Sequence, residues 1–380
     1  MTGTNPTLTQ RNSQLVDRLL RAMVERGGSD LHLIAGNPPR FRLHGDLQVL
    51  EQTFLDQQEL AQNLQAIATP LAVATFEKEE QADFAYMIQG VSRFRVNVFR
   101  HLGGMGAVMR AIPSEAVSLE SLKLPEVVRS LCQHRQGMIL VTGKTGSGKS
   151  TTLAAMINEI NLRRKGHIIT IEDPIEFVHQ RQGCLISQRE VGNHTPTFSE
   201  ALISALREDP DVVLVGELRD LETMSTAITA AEMGILVMGT LHTNGAAATV
   251  DRIVHAFPPE KQPHVRTMLS TSLRGVISQQ LCRRKTGDGR IAALEILINT
   301  PAVSNLLRQG KLDQLETAMQ SGANVGMRTM DSALQELLDR RFITPREAYD
   351  KALSKDRFRK LVEQSEPPPL RGGAKPPDMA

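Results

Sequence analysis

At 380 residues, with 41% hydrophobic and 23% charged side chains, the chain has the make-up of a soluble globular protein of two or three domains. A formal net charge of +2 gives no general attraction for a polyanion, and 3% aromatics with no Trp leaves few stacking platforms for single-stranded nucleic acid, so a nucleic-acid machine is disfavoured. The three cysteines (Cys132, Cys184, Cys282) are far apart and form no CxxC pair, which excludes a disulfide framework and points to buried thiols in a reducing compartment.

The segment 2–14 is polar, unlike a signal peptide, and no apolar run reaches the ~20 residues of a membrane span, so membrane contact is expected to be peripheral. Leu15, Val16, Leu19, Leu20, Met23 and Val24 predict a helix over 13–26, capped by Asn12 or Ser13 and ended by Gly27-Gly28. Leu31/Leu33, Phe41/Leu43 and Leu47/Val49 follow in period two, with the turn His44-Gly45-Asp46, as a strand and a hairpin. A polar helical stretch is expected from Asp56 to Glu80. Phe94, Val96 and Val98 then alternate with Arg93, Arg95 and Asn97, a strand with one apolar face and one cationic face. Up to about Pro113 the pattern is α+β on an antiparallel sheet.

Beyond that point the style changes. Short apolar runs at 138–142, 168–171, 212–215 and 236–238 alternate with helical patterns at 151–160, 199–207 and 221–233. Strands apolar on both faces predict a parallel sheet covered on both sides. Val265, Met268, Leu269, Leu273, Val276 and Ile277 predict one long amphipathic helix, with further helices to about Val362. The Pro-rich tail from 366 is expected to be disordered.

Gly143, Lys144, Thr145, Gly146, Ser147, Gly148, Lys149 and Ser150 fit G-x-x-x-x-G-K-[ST] between a predicted strand and helix, with Thr151 following. Glycines let backbone N–H groups and the helix N-terminus face a β-phosphate; Lys149 brings a cation to the β- and γ-phosphates and the Ser150 hydroxyl suits Mg²⁺. The cofactors implied are ATP and Mg²⁺. Hydrolysis also needs carboxylates, and two strand ends supply them: Glu172-Asp173-Pro174-Ile175-Glu176 after 169–171, and Gly216-Glu217 after 212–215. Gly216 stands where a Walker B strand usually has a metal-supporting Asp. Metal support is therefore expected from the cluster beginning Glu172 and Asp173, and catalysis from Glu217. His242 ends another strand and is placed to sense a γ-phosphate or to serve structure. Arg93, Arg95, Arg110 and Arg219 are candidates to neutralise charge developing on that phosphate, each with a surface salt bridge as the alternative.

These segments together resemble the secretion-type traffic ATPases, in the PilT/PilU branch of type IV pilus ATPases. The strings are GGSDLHL (27–33), SRFRVNVF (92–99), the phosphate loop with TTLAAM, TIEDPIEFVH (170–179), FSEALISALREDPDVVLVGELRD (198–220) and GTLHTNGAAATVDRIVHAFP (239–258). The resemblance spans roughly 24–352. It implies a PAS-like first domain (1–113), a RecA-like ATPase domain with a helical C-terminal region (114–365) and a tail (366–380). It also implies Glu176 as an Asp-box catalytic acid, Glu217 as the Walker B glutamate, His242 in the His box, and Arg95 and Arg110 as arginines that reach the nucleotide. A homohexamer is implied, cytoplasmic at the inner-membrane base of a pilus. There it would act on a platform protein, alone or with a sister ATPase, to retract pili and drive twitching, with no direct nucleic-acid contact.

The sequence departs from that branch at Ser304 and Gln309, within 302–309, where arginine and glutamate are the pattern, and at Gly103, where arginine is frequent. Val303, Leu306 and Leu307 are expected to anchor this segment while Ser304 and Arg308 face elsewhere. A pilus-assembly or type II secretion ATPase is the alternative; those typically carry a CxxC…CxxC zinc site, and no such pair stands here. A nucleic-acid translocase and a non-catalytic nucleotide-binding scaffold fit less well, the latter because every acid is present.

Overall fold

The computed structural model describes residues 14–43, 45–112 and 117–365. The expected cap at Asn12 or Ser13, His44 of the hairpin turn, the boundary at 113/114 and the Pro-rich tail lie outside them. Cα packing separates two compact units: the chain up to Ala116 with Pro174–Gln180, and Val117–Asp173 with everything from Arg181 on.

In the first unit, α1 (Gln14–Glu25) buries Val16, Leu19, Leu20 and Met23, the face its spacing predicts. Strands β1 (Asp30–Ile34), β2 (Arg40–Leu43) and β3 (Asp46–Val49) follow. The stretch 56–80, expected as a single helix, is two: α2 (Gln57–Ile67) and α3 (Pro70–Glu79). Pro70 holds Thr69 out of the helical region and brings no N–H. Asp56 caps the first helix by accepting from the Gln58 and Glu59 N–H groups, and Thr69 caps the second through Ala72 N–H. Next come β4 (Gln81–Ile88), β5 (Ser92–His101) and β6 (Gly104–Ile112). The sheet order is β3-β2-β1-β6-β5-β4, every pairing antiparallel. Phe94, Val96 and Val98 of β5 are buried and Arg95 is exposed, as the alternation predicts.

The second unit runs α4 (Glu126–Cys132), β7 (Gly137–Thr142), α5 (Lys149–Arg163), β8 (His167–Glu172), β9 (Leu185–Glu190), α6 (Phe198–Ala205), β10 (Val212–Val215), α7 (Leu221–Glu232), β11 (Leu236–Leu241), α8 (Ala246–His255) and α9 (Gln262–Ser272). It continues with β12 (Leu273–Arg283), β13 (Arg290–Ile298), α10 (Pro301–Gln309), α11 (Leu315–Ser321), α12 (Met330–Asp339), α13 (Pro345–Lys351) and α14 (Lys355–Ser365). The sheet order is β13-β12-β7-β11-β10-β8-β9. From β12 to β9 the strands are parallel, and β13 closes the edge antiparallel to β12. Separate apolar clusters cover the two faces, so β7 and β10 are buried along their whole length. All three cysteines are free and buried.

One expectation is overturned. The long helix predicted through Ile277 ends at Ser272, and 273–283 is the strand β12. A strand buried on both faces loses its period-two signature and imitates a helical stripe. Gly275 settles the backbone physically: it lies where a Cβ would press on Leu131 and the Leu297 carbonyl, so the strand passes close by. The helices expected further on therefore begin only after β13. A second correction concerns α10. Val303 and Leu307 anchor it as expected and Arg308 is exposed, but Ser304 is turned inward, its hydroxyl donating to the Ser270 carbonyl at 2.7 Å. Among the described residues no helix is long and apolar enough to cross a membrane.

Candidate functional site

The site of the second unit lies at the carboxyl ends of β7, β11, β10 and β8. Register puts Thr142 beside Leu241, and Val215 beside both Gly239 and Ile171. The loop 143–148, His242, Glu217 and Glu172 thus all leave the sheet at one edge, the position at which open α/β sheets bind ligands.

The loop after β7 is shaped by glycine at two points. Gly143 has φ 140°, and a Cβ there would collide with the Gln279 carbonyl and the Ser147 hydroxyl; Gly148, at φ 88°, would meet the Gln279 side-chain amide at 2.8 Å. Gln279, on the strand mistaken for helix, pins the loop. Its amide donates to the Ser147 carbonyl at 2.7 Å, and its oxygen accepts from the Thr152 hydroxyl at 2.7 Å. Lys149 begins α5, is nearly buried, and its ammonium donates to the Gly143 and Lys144 carbonyls at 2.9 and 3.3 Å. The Ser147 hydroxyl is buried with no hydrogen-bond partner. An unpartnered buried hydroxyl beside backbone in left-handed conformations is a cradle waiting for acceptor oxygens, so the loop fits a polyphosphate.

A cleft of about 530 Å³ opens on this loop, with Lys144, Arg283, Arg290 and Lys351 as cationic lining and Glu347 and Asp350 opposing them. A second, of about 420 Å³, reaches Gly148 and Thr151 and is walled by Leu122, Leu124, Leu281 and Ile291. Both clefts border the loop, the first with mostly charged lining and the second with an apolar wall among polar residues.

Glu217 sits just past β10, mostly shielded from solvent and gripped from two sides. Arg219 Nη2 reaches one carboxylate oxygen at 2.7 Å and His242 Nε2 the other at 3.3 Å. The other imidazole nitrogen of His242 lies 3.4 Å from the Thr145 hydroxyl, so the histidine bridges the phosphate loop and Glu217. Arg219 also lies 3.8 Å from Asp173. Glu172 is oriented by the Thr170 hydroxyl at 2.7 Å and the Gln188 amide at 3.3 Å. Among the described residues no group of three or more His, Cys, Asp or Glu side chains is placed to hold a metal. A Mg²⁺ ion fits such a site, because it is bound through one or two protein oxygens, with phosphate and water supplying the rest.

The remaining candidates belong to the first unit. Glu176 is in the segment 174–180 and is exposed. Arg110 is largely exposed and donates to the buried carboxylate of Asp30 at 2.7 Å. The Ser29 hydroxyl and Arg110 together hold the Asp30 carboxyl below its ordinary range, against the opposing effect of burial. Arg95 lies 3.8 Å from Asp83. Gln279, Ser278 and Glu295 escaped the sequence reading. The signal was a polar triplet, Ser278-Gln279-Gln280, between apolar neighbours, and Glu295 inside another apolar run.

The family described as type II/IV secretion system protein matches residues 9–336. The type IV pilus retraction ATPase PilT of Pseudomonas aeruginosa is 48% identical over 343 residues, covering 90% of this chain and 99% of the relative. The chain belongs to the type II/IV secretion system protein family. A twitching motility protein of Neisseria gonorrhoeae is 50% identical over 319 residues, 84% of this chain and 85% of that protein. The crystal structure of the pilus retraction motor PilT with bound ADP matches with a TM-score of 0.84 at 42% identity, covering 91% of this chain and 98% of that one. The expected resemblance and the expected α/β class are both borne out. Within the secretion-family fold, the ADP-bound relative agrees with a loop whose own geometry suits phosphate.

Proposed function

We propose that this chain is an ATP-hydrolysing motor that powers retraction of type IV pili, and with it twitching motility. The observation that carries the reading is the bridge Thr145–His242–Glu217–Arg219, which ties the phosphate loop to a carboxylate at the adjacent strand end. In this reading Gly143 to Thr151 hold the ATP phosphates, and Lys149 turns from the loop carbonyls toward the β- and γ-phosphates. The apolar walls at Leu122, Leu281 and Ile291 suit a nucleobase.

Ser150 would hold Mg²⁺, with Glu172 and Asp173 supporting its water shell, and the ion would supply positive charge to the phosphates. Glu217 takes a hydrogen bond from the attacking water and polarises it toward the γ-phosphorus. His242, already between loop and acid, reports whether a γ-phosphate is present. Glu176 is the second catalytic acid, and Arg95 and Arg110 neutralise charge as the phosphoryl group departs. These roles call for the assembly expected of the family, a homohexamer at the cytoplasmic base of the pilus working on an inner-membrane platform protein, with or without a sister ATPase.

Deleting the gene and counting surface pili tests the reading. Excess pili with lost twitching is the expected result. Absent pili would replace retraction with assembly, and unchanged pili with lost twitching only when a sister gene is also removed would make this the accessory motor.

A further inference from the structure

We infer that Glu295 is a positioning residue for ATP hydrolysis: from the edge strand β13 it fixes the loop that carries His242, and so holds His242 between Thr145 and Glu217. Its carboxylate is buried, and each oxygen takes a backbone N–H from the first turn of a different helix. Ala246 of α8 donates at 2.7 Å, and Met330 of α12 at 3.2 Å. Both helices present their positive ends to one anion, so each bond is charge-assisted. The N-terminus of α8 has no capping side chain of its own, since Gly245 occupies the cap. Glu295 supplies the missing acceptor from a strand 49 residues away.

The geometry around it is a clamp. Ser278 of β12 lies directly across the ladder from Glu295, and its hydroxyl accepts from Gly245 N–H at 2.8 Å. Gly245 has φ 95°, and a Cβ there would stand 3.3 Å from Glu295 Oε1, so the backbone passes against the carboxylate. Thr243 is tied to Thr249, the Thr249 hydroxyl reaches Gly245 O at 2.7 Å, and Thr249 also reaches Thr142 at the end of β7. Between His242 and this anchorage only Thr243 and Asn244 intervene. A buried carboxylate that has no cation partner among the described residues is expensive to keep. Gly245, at φ 95°, cannot readily be exchanged for a capping serine, so the acceptor that fixes this turn, and with it the register of His242, has to come from β13.

This inference rests on the proposed role of His242, and a double-mutant cycle separates the two. The purified full-length ATPase is assayed as wild type, Glu295→Gln, His242→Ala and the double variant, with kcat and KM for ATP measured for each. Glu295→Gln keeps the shape but turns an amide N–H₂ toward one of the two donors. It is expected to lower kcat by about tenfold with KM changed little, because misplacement far from the chemistry costs rate rather than binding. In the His242→Ala background the same change is expected to cost nothing further. Losses that multiply in the double variant would overturn the inference, since Glu295 would then act without His242. Should His242→Ala alone leave turnover intact, the role of His242 itself fails, and with it any action through it. If Glu295→Gln does not fold, Ser278→Ala replaces it in the same cycle, releasing Gly245 N–H from the other side; there too, multiplied losses would defeat the inference.

Discussion

Arg95 and Arg110 face each other as directly opposed residues across the β5–β6 ladder, on the same side of the sheet. Like charges in that position repel, and each is drawn aside by its own carboxylate, Asp83 for Arg95 and Asp30 for Arg110. A sheet built for stability alone would not pair them. The arrangement suits the role proposed for the pair toward an anion, and it sets a test in which the two variants agree in activity and differ in stability. Arg95→Ala is expected to leave the melting temperature unchanged or slightly raised, since an exposed pair at 3.8 Å contributes little and the repulsion is relieved. ATP turnover is expected to fall by at least about tenfold. Arg110→Ala should match it in turnover but melt lower, because it strands the buried Asp30. Normal turnover in both variants would return the arginines to a structural role.

Lys149 separates binding from folding. It donates to two loop carbonyls, so Lys149→Ala should cost about 1 kcal/mol of stability without nucleotide. Binding of ATP should be lost. Glu217→Gln should do the reverse: the amide keeps the contact with Arg219, ATP binds, and turnover falls by about a hundredfold or more. Turnover that survives Glu217→Gln but not Glu176→Gln would exchange the roles of the two acids.

Much of this was legible beforehand, for reasons that the structure makes plain. The phosphate loop is contiguous in sequence, and β7, β8, β10 and β11 are buried on both faces, so motif and apolar runs located them without tertiary information. The same property hid β12. Its apolar residues continue the spacing of α9, and only Gly275 and the β-branched Val276 and Ile277 spoke for a strand. β4 has a readable alternation in Ala82, Phe84, Tyr86 and Ile88, which the polar helical pattern before it masks. The roles of Gln279 and Glu295 were hidden for another reason. Gln279 acts on Ser147 from 132 residues away, and a polar residue in an apolar run marks a buried side chain without naming a partner that the sheet brings to it.

The buried carboxylate of Glu295 also predicts a pH signature. Burial, with Glu316 and Asp331 adding to it, raises its pKa above the ordinary 4.5, outweighing the two N–H bonds that lower it. The folded protein therefore binds this proton more tightly than the unfolded chain. The contribution to stability is full below the ordinary carboxylate value and is lost as pH rises through the raised one. Urea melts across that window should show the wild type losing stability relative to Glu295→Gln as pH increases. Parallel curves would mean that the carboxylate is not desolvated.

The segment 302–309 offers the means to separate chemistry from mechanical work. Val303 and Leu307 fix α10 against the core, and Ser304 adds a hydrogen bond to the Ser270 carbonyl on α9. Arg308, one residue beyond the anchor, is exposed. Nothing in this helix contributes an acid or a phosphate ligand. Arg308→Ala should therefore leave purified ATP turnover within about twofold, since surface changes of this kind cost only ~0.5 kcal/mol. If α10 hands motion to the pilus base, the same variant should shrink the twitching zone and raise the pilus count in cells. Ser304→Arg is a harsher change than the family pattern suggests, because the guanidinium must leave the place where the hydroxyl now reaches Ser270. It is expected to lower the melting temperature through loss of that bond, worth about 1 kcal/mol, and Ser304→Ala should reproduce the loss. Turnover, melting and twitching measured on the three variants then divide the helix into a face that holds it and a face that works. Turnover and twitching lost together in Arg308→Ala would show that the exposed face is structural after all.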